Sequence, residues 1–203
     1  MALTTAAPAP GFADPATQSA SSFRAVLDAM ARPGRIHALH AALEPPRPLH
    51  PTTAALLLTL VDFDTALWIE PGLRSGAVAD YLRFHCAAPL VEEPGEADFV
   101  LVADPVARPP FALLKPGTPD YPDRSATLLM QVDALTADAG ASLSGPGIET
   151  VHTLSAPPLE AAFWREMAAS NARFPLGVDA VFCAPREIAA VPRSTIIADQ
   201  EAG

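Results

Sequence analysis

Residues 98–104 read "DFVLVAD", four large apolar side chains in a row between two aspartates. The run neither alternates with polar residues nor follows a helical period. It has the pattern of a strand covered on both faces. Its neighbours decide the rest. "SATLLMQV" (125–132) is a second strand of the same kind, and "TALWIE" (65–70), closed by Pro71-Gly72, is a third. "LGVDAVFCA" (176–184) and "EIAAVPRST" (187–195) form two adjacent strands joined by a short turn, expected to be antiparallel. "ASLSGPGIETVHTL" (141–154) reads as strand, Gly-Pro-Gly bend, strand.

Helices alternate with these strands. "SFRAVLDAMA" (22–31) places Phe23, Val26, Leu27 and Met30 at i, i+3, i+4 and i+7, one helical face expected to point inward from a helix starting near Ser21. Ser21 or Ser22 is the expected cap. Pro33 disfavours helix at Arg32. Pro33-Gly34 suits the centre of a type II turn, leading to a short strand over 35–39. "TTAALLLTLVDFD" (52–64) reads as a buried helix with a threonine cap, ending at Asp62 and Asp64. "SGAVADYLRFHC" (75–86) is amphipathic through Val78, Leu82 and Cys86. In "PLEAAFWREMAASNAR" (158–173), Leu159, Ala162, Phe163 and Met167 make a stripe. Alternating helices and apolar strands argue for an α/β sandwich with a mixed sheet.

The 203 residues suffice for one sizeable core, burying about 70% of the unfolded surface. We expect a loose tail over residues 1–15 and a single α/β domain over 16–203. Formal charge is −10, which gives little basic surface for nucleic acid. The start, "MALTTAAPAPGFADPATQ", has neither a basic segment nor a long apolar one, so no export signal is read there. The longest apolar runs, Ala54–Leu58 among them, are far too short to span a bilayer. Cys86 and Cys183 form no ligand or disulfide pattern. The expected compartment is the cytoplasm, with no metal and no disulfide.

Few residues carry a chemical pattern. His37 and His40 lack companion ligands. His85 and Cys86 diverge by about 100° on a helix and make no dyad. Asp62-Phe63-Asp64 could hold Mg²⁺ and a nucleotide if extended, or end a helix at a turn. Gly145-Pro146-Gly147 fits a bend better than a phosphate loop. Lys115, the single lysine, lies in an irregular stretch and is poorly sited for a Schiff base. No catalytic residue is assigned.

Six stretches in order, "FRAVLDAMARPG", "LLLTLVDFDT", "LRFHCAAPL", "SGPGI", "FPLGVDAVF" and "VPRST", resemble the PhnH family of carbon–phosphorus lyase core subunits over about residues 20–196. Arg32 departs from that pattern, where an acidic or small polar residue also occurs. The resemblance implies a three-layer α/β sandwich with a mixed sheet, similar to the large domain of pyridoxal-phosphate-dependent transferases but without the cofactor. It implies a homodimer that works with PhnG, PhnI and PhnJ, and with the ATP-binding-cassette-like PhnL. Together these displace adenine from ATP with an alkylphosphonate, before a radical subunit breaks the C–P bond. Two roles stay open: a scaffold or accessory subunit, or a ligand-binding or catalytic subunit. In the second, Arg24, Arg83 and Arg193 would contact phosphonate or triphosphate, since a guanidinium fork matches phosphate oxygens. Pro33 and Gly34 are expected to form a structural turn.

Overall fold

The computed structural model describes residues 8–74 and 76–198. In chain order the elements are α1 (Pro15–Ala31), β1 (His37–Ala38), α2 (Pro51–Leu60), β2 (Leu67–Ile69), α3 (Ala77–Cys86), β3 (Phe99–Val102), β4 (Thr127–Gln131), β5 (Thr136–Ser144), β6 (His152–Ser155), α4 (Ala161–Asn171), β7 (Asp179–Cys183), β8 (Glu187–Val191) and β9 (Ile196–Ala198). The main sheet has the order β1-β8-β7-β4-β3-β2. β2, β3, β4 and β7 run parallel, while β8 and β1 join antiparallel. This is the expected mixed sheet. A second, three-stranded antiparallel sheet, β6-β5-β9, accompanies it.

The unbroken apolar runs have their explanation in two cores, one on each face. Alternate residues enter each, as a pleated strand requires. Leu101, Leu129, Val181 and Ile188 pack with Val26 and Ala29 of α1, Leu56 and Leu57 of α2, and Tyr81 and Leu82 of α3. Val100, Leu128, Phe182 and Val191 pack with Phe163, Trp164 and Met167 of α4 and with Leu143, Leu154 and Ile197 of the small sheet. Phe163, Trp164 and Phe182 meet in tilted and edge-on pairs with centroids 5.3–5.8 Å apart. Such pairs contribute about 1 kcal/mol each beyond burial. The proline-rich stretch from Pro105 to Arg124 holds three short 3-10 turns. Glu166 of α4 ties it down by accepting from Arg108 and from the Phe111 N–H.

Several expectations are corrected. α1 begins at Pro15, six residues before Ser21, and its cap is Asp14, whose Oδ1 accepts the Thr17 N–H at 3.2 Å. An acidic cap followed by proline in the first turn is a start signal that needs no apolar period. The buried face of α1 is Ser22, Val26 and Ala29; Phe23 and Leu27 face solvent, 50% and 55% exposed. Small residues face inward because α1 packs closely on α2 and β8. Neither Thr52 nor Thr53 caps α2; Thr52 Oγ1 donates to the Ala184 carbonyl at 2.6 Å. On α4 the buried stripe includes Trp164 and leaves Ala162 exposed. Of the segment read as a loose tail, residues 1–7 lie outside the described residues. Ala9 and Phe12 pack on the α-helical core, and the Ala9 carbonyl lies 2.9 Å from His85 Nε2. Among the described residues no helix is long and apolar enough to cross a membrane.

Candidate functional site

Four of the six motif stretches meet at one cleft of about 370 Å³, lined by Met30, Ala31, Pro146, Gly147, Phe174, Asp179, Pro192, Arg193 and Ser194. The first wall is the end of α1. Arg35 N–H donates to the Arg32 carbonyl at 3.1 Å and Gly34 has φ +78°, the geometry of a type II turn centred on Pro33-Gly34. The Gly34 N–H bonds the Ala190 carbonyl at 3.1 Å, which fixes the turn on β8. His152 Nδ1 lies 2.8 Å from the Pro33 carbonyl oxygen and donates to it in the Nδ1–H tautomer. The second wall is the bend between β5 and β6. Gly147, at φ +82°, lies so close to the Ala31 carbonyl that a Cβ there would clash with it.

The floor is built from the β7–β8 hairpin. Asp179 Oδ1 accepts the Arg193 N–H at 2.8 Å, and its Oδ2 stands 3.3 Å from the Arg193 guanidinium. That guanidinium also donates to the Pro122 carbonyl and the Ser125 hydroxyl. Behind it, Asn171 Nδ2 donates to the carbonyls of Pro192 and Thr195, at 3.2 and 2.9 Å. Phe174, 62% exposed, stands on the rim.

The arginines suggested for phosphate contact stand on three separate elements. Arg24 is exposed on α1, without an ion pair to a described residue. Arg83 is exposed on α3, 3.5 Å from Asp80. Arg193 is the only one of the three at the cleft, with its side chain 18% exposed and its donors already engaged. Lys115 bonds Asp98 Oδ1 at 2.5 Å, and Asp98 Oδ2 accepts the Ala66 N–H at 3.0 Å, so this ion pair ties the starts of β2 and β3 to the proline-rich stretch. Asp62 accepts from the Asp64 N–H at 3.0 Å and the Thr65 hydroxyl at 2.7 Å, closing a turn between α2 and β2. Those bonds, the hydroxyl's foremost, hold its carboxyl below the usual carboxylate range. His37 and His40 gather no third ligand among the described residues. Burial pushes the Cys86 thiol up to about 11.

The Asp179–Arg193 pair escaped the sequence reading. A signal for it existed: a three-residue turn between two antiparallel strands places Asp179 beside Pro192 and Arg193.

The opposite, carboxyl edge of the parallel strands is closed by the chain's own groups. The buried Glu70 carboxylate accepts the N–H groups of Ala103 and Asp104 at 2.9 Å each. Gln131 accepts from His50 N–H at 2.6 Å and donates to the Pro48 carbonyl at 3.0 Å. Ligand crevices in open α/β sheets form at carboxyl ends where the strand order reverses. The parallel order β2-β3-β4-β7 has no reversal.

These features define an α/β domain in which four of the six motif stretches gather at a surface cleft on the amino side of its parallel strands. The chain belongs to the PhnH family, described as "Bacterial phosphonate metabolism protein (PhnH)", whose profile matches residues 10–198. It is 36% identical over 184 residues to the "Alpha-D-ribose 1-methylphosphonate 5-triphosphate synthase subunit PhnH" of Rhizobium meliloti (strain 1021), covering 91% of this chain and 92% of the relative. It is 30% identical over 183 residues to the "Putative C-P lyase subunit protein HtxG" of Stutzerimonas stutzeri, covering 90% of this chain and 87% of that one.

Proposed function

We propose that this chain is the PhnH-type subunit of a carbon–phosphorus lyase core complex, acting as a cytoplasmic homodimer beside PhnG, PhnI and PhnJ. Its role is accessory: it supports transfer of the ribose triphosphate part of ATP to an alkylphosphonate, with release of adenine, before a radical subunit breaks the C–P bond. The observation that carries this reading is the near full-length match, 36% identical, to a synthase subunit. Two features of the molecule favour an accessory role. Buried side chains close the carboxyl edge of the sheet. In the cleft Arg193 is neutralised by Asp179. The family resemblance also implies a core similar to the large domain of pyridoxal-phosphate-dependent transferases without the cofactor.

The second reading, a ligand-binding or catalytic subunit, asks Arg24, Arg83 and Arg193 to take phosphonate or triphosphate. The exposure of Arg24 and Arg83 favours it. Co-expression and co-purification with PhnG, PhnI and PhnJ tests the first reading; a chain that never travels with them refutes it. Calorimetry of the lone chain with ATP and with methylphosphonate separates the two, since heat of binding supports the second.

A further inference from the structure

We infer that the outer face of α1, continued into the cleft at its C-terminal end, docks an apolar segment flanked by carboxylates on a partner subunit. This rests on the subunit reading above and adds the surface and the chemistry that fits it.

Ala16, Ala20, Phe23, Leu27 and Ala31 are all exposed and follow one another at spacings of three and four, so they form one stripe along the helix. The stripe is distinct from the buried face of Ser22, Val26 and Ala29. At its end Met30 and Ala31 form a wall of the cleft, whose other apolar lining is Pro146, Pro192 and the exposed Phe174. One exposed leucine needs no explanation. Phe23, Leu27 and Phe174 aligned with a cleft make a contiguous apolar surface, the kind that marks a protein interface.

Charge selects the occupant. The chain holds 23 acidic residues against 13 basic ones. Even so, Arg24 beside the stripe, Arg35 after the turn and Arg173 next to Phe174 have no acidic partner among the described residues. Asp28 on the same helix is already paired with Arg32, so Arg24 leaves the stripe bordered by uncompensated positive charge, which is complementary to carboxylates on another chain. A second copy fits poorly. The stripe runs from 16 to 31, so a two-fold axis through its middle sets Arg24 against Arg24 of the other copy. The homodimer proposed above then uses a different face.

The test co-expresses the full chain with PhnG, PhnI and PhnJ. It measures retained partner subunits at low and high salt, thermal unfolding of the lone chain, and its mass by light scattering. Leu27→Glu is expected to cut retention tenfold or more with an unchanged melting temperature. Arg24→Glu is expected to weaken retention at low salt only, because salt screens exposed charges. Leu113→Glu, an exposed apolar site in the proline-rich stretch, is expected to behave as wild type. Should Leu27→Glu unfold the chain, Phe174→Ser reads the same surface from another element. Wild-type retention by both Leu27→Glu and Phe174→Ser overturns the proposal, as does equal loss with Leu113→Glu. A lone-chain dimer that falls to monomer with Leu27→Glu also overturns it, since a second copy would then cover the face. Wild type that retains no partner refutes the subunit reading itself, and is seen before any variant is made.

Discussion

Asp179 holds Arg193 twice, taking its backbone N–H on one carboxylate oxygen at 2.8 Å and facing its guanidinium with the other at 3.3 Å. The pair joins the start of β7 to the exit of β8, and through Ser125 and Pro122 to the segment before β4. Both side chains are more than four-fifths buried. Removing one partner of a buried pair leaves the other charge uncompensated, at a cost of about 3 kcal/mol. Asp179→Ala is therefore expected to lower the free energy of unfolding in urea by about that amount. A loss under about 0.5 kcal/mol, the range of ordinary surface changes, would show that the pair carries no weight in the fold.

Two glycines at the cleft are expected to be intolerant for different reasons. Gly34 has φ +78°, and a Cβ there would meet Leu143 Cδ1 at 2.8 Å and His152 Cβ at 3.2 Å. Gly34→Val forces a β-branched residue into the left-handed region, with strain of order 1–3 kcal/mol. Gly147→Ala meets backbone rather than a side chain that can swing away, so α1 and the β5–β6 bend must part. Both should lower the melting temperature, and both should weaken assembly. Arg32→Ala removes an exposed bridge to Asp28 and should change neither. A Gly34→Val chain that melts like wild type but fails to assemble would make the turn a docking element.

The buried strands were legible because a strand covered on both faces leaves an unbroken apolar run; "DFVLVAD" and "SATLLMQV" mark β3 and β4 without help from neighbours. The start of α1 was not, because its first two turns hold Ala, Ser, Thr and Gln, which have no apolar period. Its inward face was misread for a related reason. Phe23 and Leu27 form one apolar stripe and Val26 with Ala29 another, and periodicity cannot say which of two stripes meets the sheet. β9 was missed since three residues after a turn show no alternation. At the cleft, the motif stretches could be read but not their meeting, which depends on β8 lying between β1 and β7. Arg24, Arg83 and Arg193 look alike in sequence; only the neighbours distinguish an exposed arginine from one locked to Asp179.

The two thiols should be silent in the native chain. Cys86 and Cys183 are buried, and desolvation raises both above the ordinary cysteine range, Cys86 to about 11. The thiolate is the reactive form, so little of it is present at pH 8. Ellman's reagent should titrate almost nothing in buffer and both thiols in guanidinium chloride. Rapid stoichiometric reaction of the folded chain would contradict the buried placement of at least one of them.

Asp62 gives a prediction whose sign follows from its hydrogen bonds. Its carboxyl is held below the usual range by the Thr65 hydroxyl and the Asp64 N–H, and only the ionised form accepts both fully. A carboxyl depressed on folding contributes stability that is present above its unfolded value, about 3.9, and is lost as pH falls through the folded one. Asp62→Asn should thus destabilise the chain more at pH 7 than at pH 3, where wild type is losing the same contribution. Urea unfolding of both proteins at the two pH values reads the difference directly. The group is fully exposed, so the effect should be small and the crossing with pH is the diagnostic. The alternative, a Mg²⁺–nucleotide role for Asp62 and Asp64, makes a different claim. In that case the wild-type chain binds Mg-ATP, and Asp62→Asn with Asp64→Asn abolishes binding while unfolding stays as in wild type. That outcome would replace the turn reading with a ligand site. An Asp62→Asn deficit that is equal at pH 7 and pH 3 would show that ionised Asp62 does not hold the turn.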